Sequence, residues 1–363
     1  MTMKVLVTGA TGYIGGSFLA ELLASRAANP WFTTLSISVL VRKQQEADYF
    51  AALGLTPILF VSLDDADFLR RTASEFDMVM HAANGHHPVS AQALVEGLGE
   101  RRKATGRDVY HIQTSGSSNV ADHPITGRHI HPPSQETFSD ARDNIYSYML
   151  ARQADEPYLQ RAADVAVVQI GLALGVKTYI VMPPTIYGLG LGPFHRYPHQ
   201  GPTLIKGALE SGDVWYIGEG KGEWSNVHIK DLARLYVLLM GKIVVAAGAG
   251  EDGPPNGERG VYFASTGKAS WRDFAMALAK AGKELGALER GEAKSVSLKE
   301  FAERWTSGNE QLAEMALASR SVQDAELSRS LGWTPEKKDA DFWTSIKVEF
   351  ANILKDIKVA GVL

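Results

Sequence analysis

Three glycines at intervals of three, Gly9, Gly12 and Gly15, separate the apolar run Val5-Leu6-Val7 from a helical run over 17–25. Such spacing forces a strand and a helix to meet at a tight corner. Gly9 suits the turn out of the strand, Gly12 a close approach of backbone to a ligand, and Gly15 close packing of the new helix on the strand. The helix start then presents unpaired N–H groups and the positive end of its dipole, a natural seat for phosphate. The run Thr8-Gly9-Ala10-Thr11-Gly12-Tyr13-Ile14-Gly15 therefore reads as a dinucleotide-phosphate loop, with Thr11, Tyr13 and Ile14 joining the glycines as cofactor contacts.

Behind the loop, strand-like apolar runs alternate with amphipathic segments. The pattern predicts strands over 35–41, 57–61, 77–82, 109–114 and 177–182, and helices over 46–53, 66–74, 90–104 and 158–174. This is the signature of an α/β, doubly wound parallel sheet of the Rossmann type. From Thr185 the texture turns to Gly, Pro and aromatic residues, which suits a smaller, mainly C-terminal substrate-capping domain. A helix over 230–240 is expected to rejoin the nucleotide domain. Two apolar stripes, Trp271, Phe274, Leu278, Leu285 and then Phe342, Ile346, Phe350, Ile353, Ile357, recur at helical spacing and read as core. The expected division is a dinucleotide-binding domain over 1–184 plus about 226–265, and a cap over about 185–225 plus 266–363.

Composition narrows the partners. With 37 basic against 41 acidic residues the chain carries no electrostatic footprint for nucleic acid or an anionic membrane, and without cysteine it has no thiolate nucleophile or thiolate metal site. No histidine pair, neither His86-His87 nor His129-x-His131, has a carboxylate at ligand spacing, so no metal is expected. The first strand begins near Lys4, which leaves no room for a secretory leader and makes the cytoplasm the expected location. The lipophilic stretch 232–249 is broken by Arg234 and Lys242 and suits a packed helix better than a membrane span.

The glycine loop resembles that of the extended short-chain dehydrogenase/reductase family, and other landmarks agree. His81-Ala82-Ala83-Asn84, Gln113-Thr114-Ser115-Gly116, Met182-Pro183-Pro184-Thr185-Ile186-Tyr187-Gly188 and Val227-His228-Ile229-Lys230-Asp231-Leu232-Ala233 are each similar to a segment of that family. The resemblance implies cofactor contacts from Ala82, Ala83, Asn84, Thr114, Pro183, Thr185 and Ile186. Leu63 falls where the family has residues beside adenine, with Ser62 in place of an Asp. Run 175–181 followed by Pro183-Pro184 resembles the atypical, nitrogen-metabolite-repression (NmrA-like) relatives, some of which sense redox state without turnover.

A carboxylate ending the second strand would bind a ribose 2′-hydroxyl, whereas cations there accommodate a 2′-phosphate. This strand ends Val41-Arg42-Lys43, which predicts NADP(H), with Arg42 offering a planar fork and Lys43 a point charge. The family pattern Tyr-x-x-x-Lys is missing. Tyr158, preceded by Pro157, stands at the family's usual distance ahead of Pro183, but its i+4 partner is Ala162, with Arg161 alongside at i+3. Tyr148, with Arg152 at i+4, is the other phenol at a comparable place. The usual positioning hydroxyl is replaced by Gly116, leaving Ser115 or Ser117, and His86 is placed to supply a titratable group at the carboxyl edge of the sheet.

The expected catalytic set is thus Tyr158, Ser115 and His86, and the expected substrate contacts are Ser117, Tyr187, His195 and Trp224. Aromatic cap residues Tyr187, Phe194, Tyr197, Trp215 and Trp224, with His195-Arg196 the one cationic pair among them, point to a small apolar or aromatic substrate. The expected function is an NADPH-dependent oxidoreductase of a carbonyl or imine; the alternatives are an NADP(H)-binding redox sensor without turnover, or a non-redox enzyme with a structural cofactor. The apolar helix over 158–174 could pair with a second copy in a homodimer, or be buried within one chain.

Overall fold

Seven parallel strands form the spine of the molecule: β1 (Met3–Thr8), β2 (Leu35–Val41), β3 (Thr56–Leu59), β4 (Met78–His81), β5 (Tyr110–Thr114), β6 (Lys177–Met182) and β7 (Val261–Phe263), in spatial order β7-β6-β5-β4-β1-β2-β3. The computed structural model describes residues 2–132 and 136–359; Met1 and residues 133–135 and 360–363, which the expected domain ranges take in, lie outside the described residues. A parallel sheet is covered on both faces, so its strands read as near-continuous apolar runs, interrupted here by buried polar residues such as Ser38, His111 and Gln113. Register splits each run between the two faces: Val5 and Val7 join one core cluster while Leu6 joins the other, and Val39, Val41, Met80 against Leu40, Val79 repeat the division. Val5 lies opposite Ile37 on one side and Met78 on the other, which fixes the pairing around β1.

Helices α1 (Tyr13–Ala24) and Ile229–Ala249 cover one face, with Phe18 set edge-on to Tyr236 at 6.1 Å. Helices Ala66–Ala73, Pro88–Thr105 and Leu159–Leu174 cover the other through Leu69, Leu94, Leu98 and Val167. Each such side chain contributes about 1.5–3 kcal/mol by burial. The helix Ile229–Ala249 runs a further two turns beyond the expected end, because Ile243 and Val244 continue the buried stripe of Leu232, Leu235, Tyr236, Leu239 and Met240.

A separate core gathers the two C-terminal stripes. Helices Trp271–Glu284 and Asp339–Val359 pack together, with Phe274 and Phe342 rings 5.4 Å apart. Strand Thr185–Tyr187 leaves the central sheet and pairs with Glu223–His228, which in turn pairs antiparallel with Gly267–Ser270.

Helix Gln200–Ser211 and strands Trp215–Ile217 and Lys294–Val296 are not expected from the sequence, and three elements nearer the central sheet also differ from the expectation. The edge strand β7 is only three residues long, behind Gly260, and its brevity hides it. Helix Ile145–Asp155 is hidden because its buried face carries Arg152 beside Ile145 and Met149, which breaks the apolar stripe; its true mark is Asn144, whose side chain caps Ser147 N at 3.0 Å. Tyr158 stands ahead of its helix, in extended conformation as the N-cap, and the helix begins at Leu159.

Candidate active site

The glycine loop sits where β1 and β4 diverge, the crevice in which open α/β sheets hold ligands. Gly9 turns with φ +71° and Gly12 N donates to Gly9 O at 2.9 Å. A Cβ on Gly9 would lie 2.7 Å from Ala83 Cα, so the loop and the end of β4 touch through backbone alone. Gly12 is the N-cap of α1 and places no side chain across the helix start. Together with the unpaired first-turn N–H groups, this donor set fits a dinucleotide pyrophosphate.

A cleft of about 800 Å³ opens from this loop toward the cap. Gly12, Tyr13, Ile14, Ala82, Ala83, Pro183 and Ile186 form its floor side, and Trp224, Trp305, Leu312 and Met315 belong to its cap side. Among the described residues, none that lines it is Asp, Glu, Lys or Arg.

Tyr158 and His86 meet inside. The Tyr158 hydroxyl lies 2.8 Å from His86 Nε2 and 3.1 Å from Ser118 Oγ, and Ser118 in turn donates to Gln160 Oε1 at 2.7 Å. His86 reaches the cleft because Asn84 Oδ1 accepts the His86 N–H at 3.0 Å and folds the chain back behind β4. Burial raises the Tyr158 pKa, although the Ser118 hydrogen bond and the Arg161 charge pull it down. Burial also lowers that of His86, with the His199 charge adding to it. At neutral pH this arrangement holds a protonated phenol against a neutral imidazole.

Arg161 does not replace the missing lysine. Its guanidinium lies 5.6 Å from the Tyr158 ring centroid, is fully buried, and donates to Asn119 O and Glu156 O. It acts on the phenol only as a charge stacked on the ring. Tyr148, the other phenol, packs on Phe138 outside the cleft, with Arg152 Nη1 3.2 Å from its hydroxyl.

Ser115 lines the cleft with its hydroxyl bonded to the carboxylate of Asp164, and Ser117 donates to Pro183 O at 3.1 Å. Ser118, one position further along the hydroxyl-rich run, is the serine that reaches the phenol. The short 3-10 turn Ser117–Val120 swings it there, a geometry that sequence spacing does not reveal. The other cofactor-side residues are spread more widely. Arg42 and Lys43 end β2 with exposed side chains, paired with no carboxylate among the described residues, while their backbone N–H groups donate to Glu46 at 3.1 and 3.2 Å. Ser62 Oγ donates to Asp64 at 2.8 Å beside Leu63, and Asp64 also bonds His87. Thr114 is turned away onto the Tyr236 hydroxyl at 2.8 Å, and Thr185 is held in its strand opposite Asn226.

Two expected substrate contacts lie elsewhere. Tyr187 is buried in the cap core between His228 and Phe342, where its aromatic ring gains more from burial than from facing a cleft. His195 is exposed on a segment that crosses the glycine loop, where its backbone N–H donates to Thr11 O at 3.2 Å. On the same segment Phe194 packs against Tyr49 and Phe50, and Gly188 O accepts the Tyr13 hydroxyl at 2.6 Å. Trp215 is enclosed by Lys294 and Arg304. Trp224 and Tyr197 do line the cleft, and Trp224 is fixed by donating to Ser319 Oγ at 2.9 Å.

Comparison with known proteins matches residues 5–249 to the model of the NAD dependent epimerase/dehydratase family. The chain is 29% identical over 349 residues to the oxidase ucsJ of an Acremonium species, covering 92% of this chain and 93% of that protein. It is 26% identical over 273 residues to a 4-hydroxy-2-methyl-3-oxo-4-farnesyl-3,4-dihydroquinoline-1-oxide ketoreductase of Stigmatella aurantiaca, covering 73% and 69%. Among solved structures, a dTDP-glucose 4,6-dehydratase from Streptomyces venezuelae with NAD bound superposes with a TM-score of 0.61 at 18% identity, covering 95% of this chain and 96% of that one. That likeness shows the shared fold.

Proposed function

We propose that this chain, which belongs to the NAD dependent epimerase/dehydratase family, is an NADPH-dependent reductase of small, neutral carbonyl or imine compounds with apolar or aromatic frames. The observation that carries the reading is the Tyr158 hydroxyl, held by His86 and Ser118 inside an uncharged cleft continuous with the glycine loop. When bound, a nicotinamide dinucleotide supplies the hydride. The chain's own part is to bind and to move a proton. Tyr158 gives its proton to the substrate oxygen or nitrogen, and burial keeps that phenol protonated until then. His86 relays a proton from solvent back to the phenolate, taking one at Nδ1 as it gives one from Nε2, and Ser118 lies against the phenol oxygen at 3.1 Å.

The cleft favours a neutral substrate because, among the described residues, no Lys or Arg lines it to hold a diphosphate, unlike a site built for a nucleotide sugar. Trp224, Trp305 and Met315 present flat and polarizable surface suited to rings. The ketoreductase and oxidase names among the relatives support redox chemistry. Arg42 and Lys43 favour NADPH, since two exposed cations without carboxylate partners suit a 2′-phosphate.

The test is loss of NADPH absorbance against a panel of neutral aromatic ketones, quinones and cyclic imines, with Tyr158→Phe alongside. The expected loss in that variant is about 10²–10⁴-fold. An unchanged rate would remove Tyr158 from the mechanism. Tight NADPH binding by calorimetry with no turnover over the panel would favour a cofactor-sensing protein, the second reading, which rests on Ala162 standing where the family places lysine.

A further inference from the structure

Asp164 is a buried carboxyl that the proton path through Tyr158 does not use. It lies on helix Leu159–Leu174, fully enclosed, directly behind the cleft-lining Ser115. One of its oxygens, Oδ2, accepts from Ser115 Oγ and from Asn119 Nδ2 at 2.6 Å, and the same Asn119 amide donates to Ser115 Oγ at 3.1 Å. The other oxygen, Oδ1, is buried with no hydrogen-bond partner among the described residues, as is Asn119 Oδ1. A carboxylate without a cation partner and with one bare oxygen is costly inside a protein, and a neutral carboxyl relieves that cost.

The triangle has two consistent hydrogen-bond patterns. With Asp164 ionised, Ser115 must give its single proton to the carboxylate. The serine oxygen then accepts from Asn119 and has only a lone pair left for the cleft. With Asp164 neutral, the carboxyl proton is donated to Ser115 Oγ, which now accepts from both Asp164 and Asn119. The serine proton is released toward the cleft. No bond to carbon or hydride is involved, and no proton leaves the triangle once its charge state is set.

We propose that Asp164 is a positioning residue that sets the polarity of the Ser115 hydroxyl, making it a donor for a substrate carbonyl when Asp164 is neutral and an acceptor for a substrate alcohol when it is ionised. The proposal rests on the reading of the cleft as a carbonyl site, and it supplies what the replaced hydroxyl at Gly116 took away. Burial pushes the Asp164 carboxyl up to about 7, against the hydrogen bonds from Ser115 and Asn119, which lower it. The charged and titratable groups that face it are few. Arg161, on its own helix, lowers it but is committed to Glu156 O and Asn119 O, with the Glu156 carboxylate 3.8 Å away. Tyr158, at the start of that helix, and Tyr236, from helix Ile229–Ala249, both feel its charge as neutral phenols, and from helix Ile145–Asp155 the Met149 sulfur meets the Asn119 amide at 3.6 Å. The switch would favour binding of the ketone below neutral pH and of the alcohol above it.

The experiment measures binding, not turnover. Quenching of tryptophan fluorescence gives the affinities of cofactor-free protein for 2-acetylnaphthalene and for 1-(2-naphthyl)ethanol at intervals from about pH 5.5 to 8.5, bracketing the carboxyl. The expected result is a ketone-to-alcohol affinity ratio that falls about tenfold with a midpoint near 7, the size of one hydrogen bond gained or lost. In Ser115→Ala and Asp164→Asn the ratio should be flat. Infrared difference titration of the unmodified protein and of Ser115→Ala should show protonated-carboxyl absorption vanishing over the same range, to which Glu349 and Asp140 also contribute, and Asp164→Asn should lose one carboxyl's share of it. A flat ratio in the unmodified protein, a titrating ratio in Ser115→Ala, or a missing carboxyl band would each overturn the proposal, even if Asp164→Asn does not fold. Absence of NADPH oxidation over the carbonyl panel would overturn the reductase reading alone, because the affinity ratio needs no hydride transfer.

Discussion

Replacing Gly9 with alanine separates two physical terms that the structure lets one count. Gly9 has φ +71°, and an L-residue held in the left-handed region loses about 1–2 kcal/mol. The new Cβ would also lie 2.5 Å from Ala82 C and 2.7 Å from Ala83 Cα, backbone atoms at the end of β4 that cannot swing aside. Overpacking of that kind costs about 1–3 kcal/mol more. Gly54 provides the control, since its φ is +81° and an added Cβ meets nothing within 4 Å. Gly54→Ala should therefore lose only the conformational term, and Gly9→Ala about 2–5 kcal/mol in total. Urea unfolding of the two variants beside the unmodified protein gives the difference directly. Because the clash pushes the loop off β4, calorimetry should also find NADPH binding at least ~10-fold weaker in Gly9→Ala and unchanged in Gly54→Ala. Equal stability losses in the two variants, with NADPH affinity intact in both, would refute the claim that the loop is seated by direct backbone contact.

Three further outcomes follow from the geometry. Removing the cations at the end of β2, as Arg42→Ala with Lys43→Ala, should raise the KM for NADPH about 10–100-fold and leave that for NADH nearly unchanged, the loss expected for charge-assisted contacts to phosphate. Steady-state kinetics with both cofactors checks this. Ser118→Ala should lower kcat by about tenfold with little change in cofactor affinity, because the hydroxyl touches the phenol and not the loop. Glu349, buried and accepting the Gly188 N–H on Oε1 at 2.5 Å, has its carboxyl pushed up to about 7 by burial. The folded state thus holds a proton that the unfolded state has already lost above its ordinary carboxyl pKa. Stability is full below about pH 4 and falls as pH rises to about 7, by on the order of 3 kcal/mol for this group. Glu349→Gln should narrow the gap between urea midpoints measured at about pH 5 and pH 8.5.

The parts of the molecule that repeat a simple pattern were legible in the amino-acid sequence. Strands β2 and β6 match the expected ranges residue for residue, since the buried runs Val39-Leu40-Val41 and Tyr179-Ile180-Val181-Met182 mark them despite Ser36, Ser38, Lys177 and Thr178. The glycine loop was legible because backbone approach admits only one residue type. Elements whose cores include charge were not. Arg152 and Arg161 are buried among Glu156 and backbone carbonyls, so helix Ile145–Asp155 lost its stripe and Arg161 read as a candidate for the active site. The His86–Tyr158 pair joins residues 72 apart in sequence, and its two members were each identifiable by type and position. Ser118 and Asp164 were not, because their roles depend on one 3-10 turn and one helix rotation that no spacing rule encodes.

Hydride transfer to a carbonyl carbon, with Tyr158 protonating its oxygen, is tested most directly by isotopic labelling. NADPH carrying two deuteriums at C4 of the nicotinamide is incubated with the protein and the carbonyl that oxidises it fastest, and the product is weighed by mass spectrometry. One deuterium at the carbinol carbon is expected, with Tyr158→Phe forming little of the same product. A product without deuterium from the labelled cofactor, or equal labelling at an equal rate in Tyr158→Phe, would contradict it.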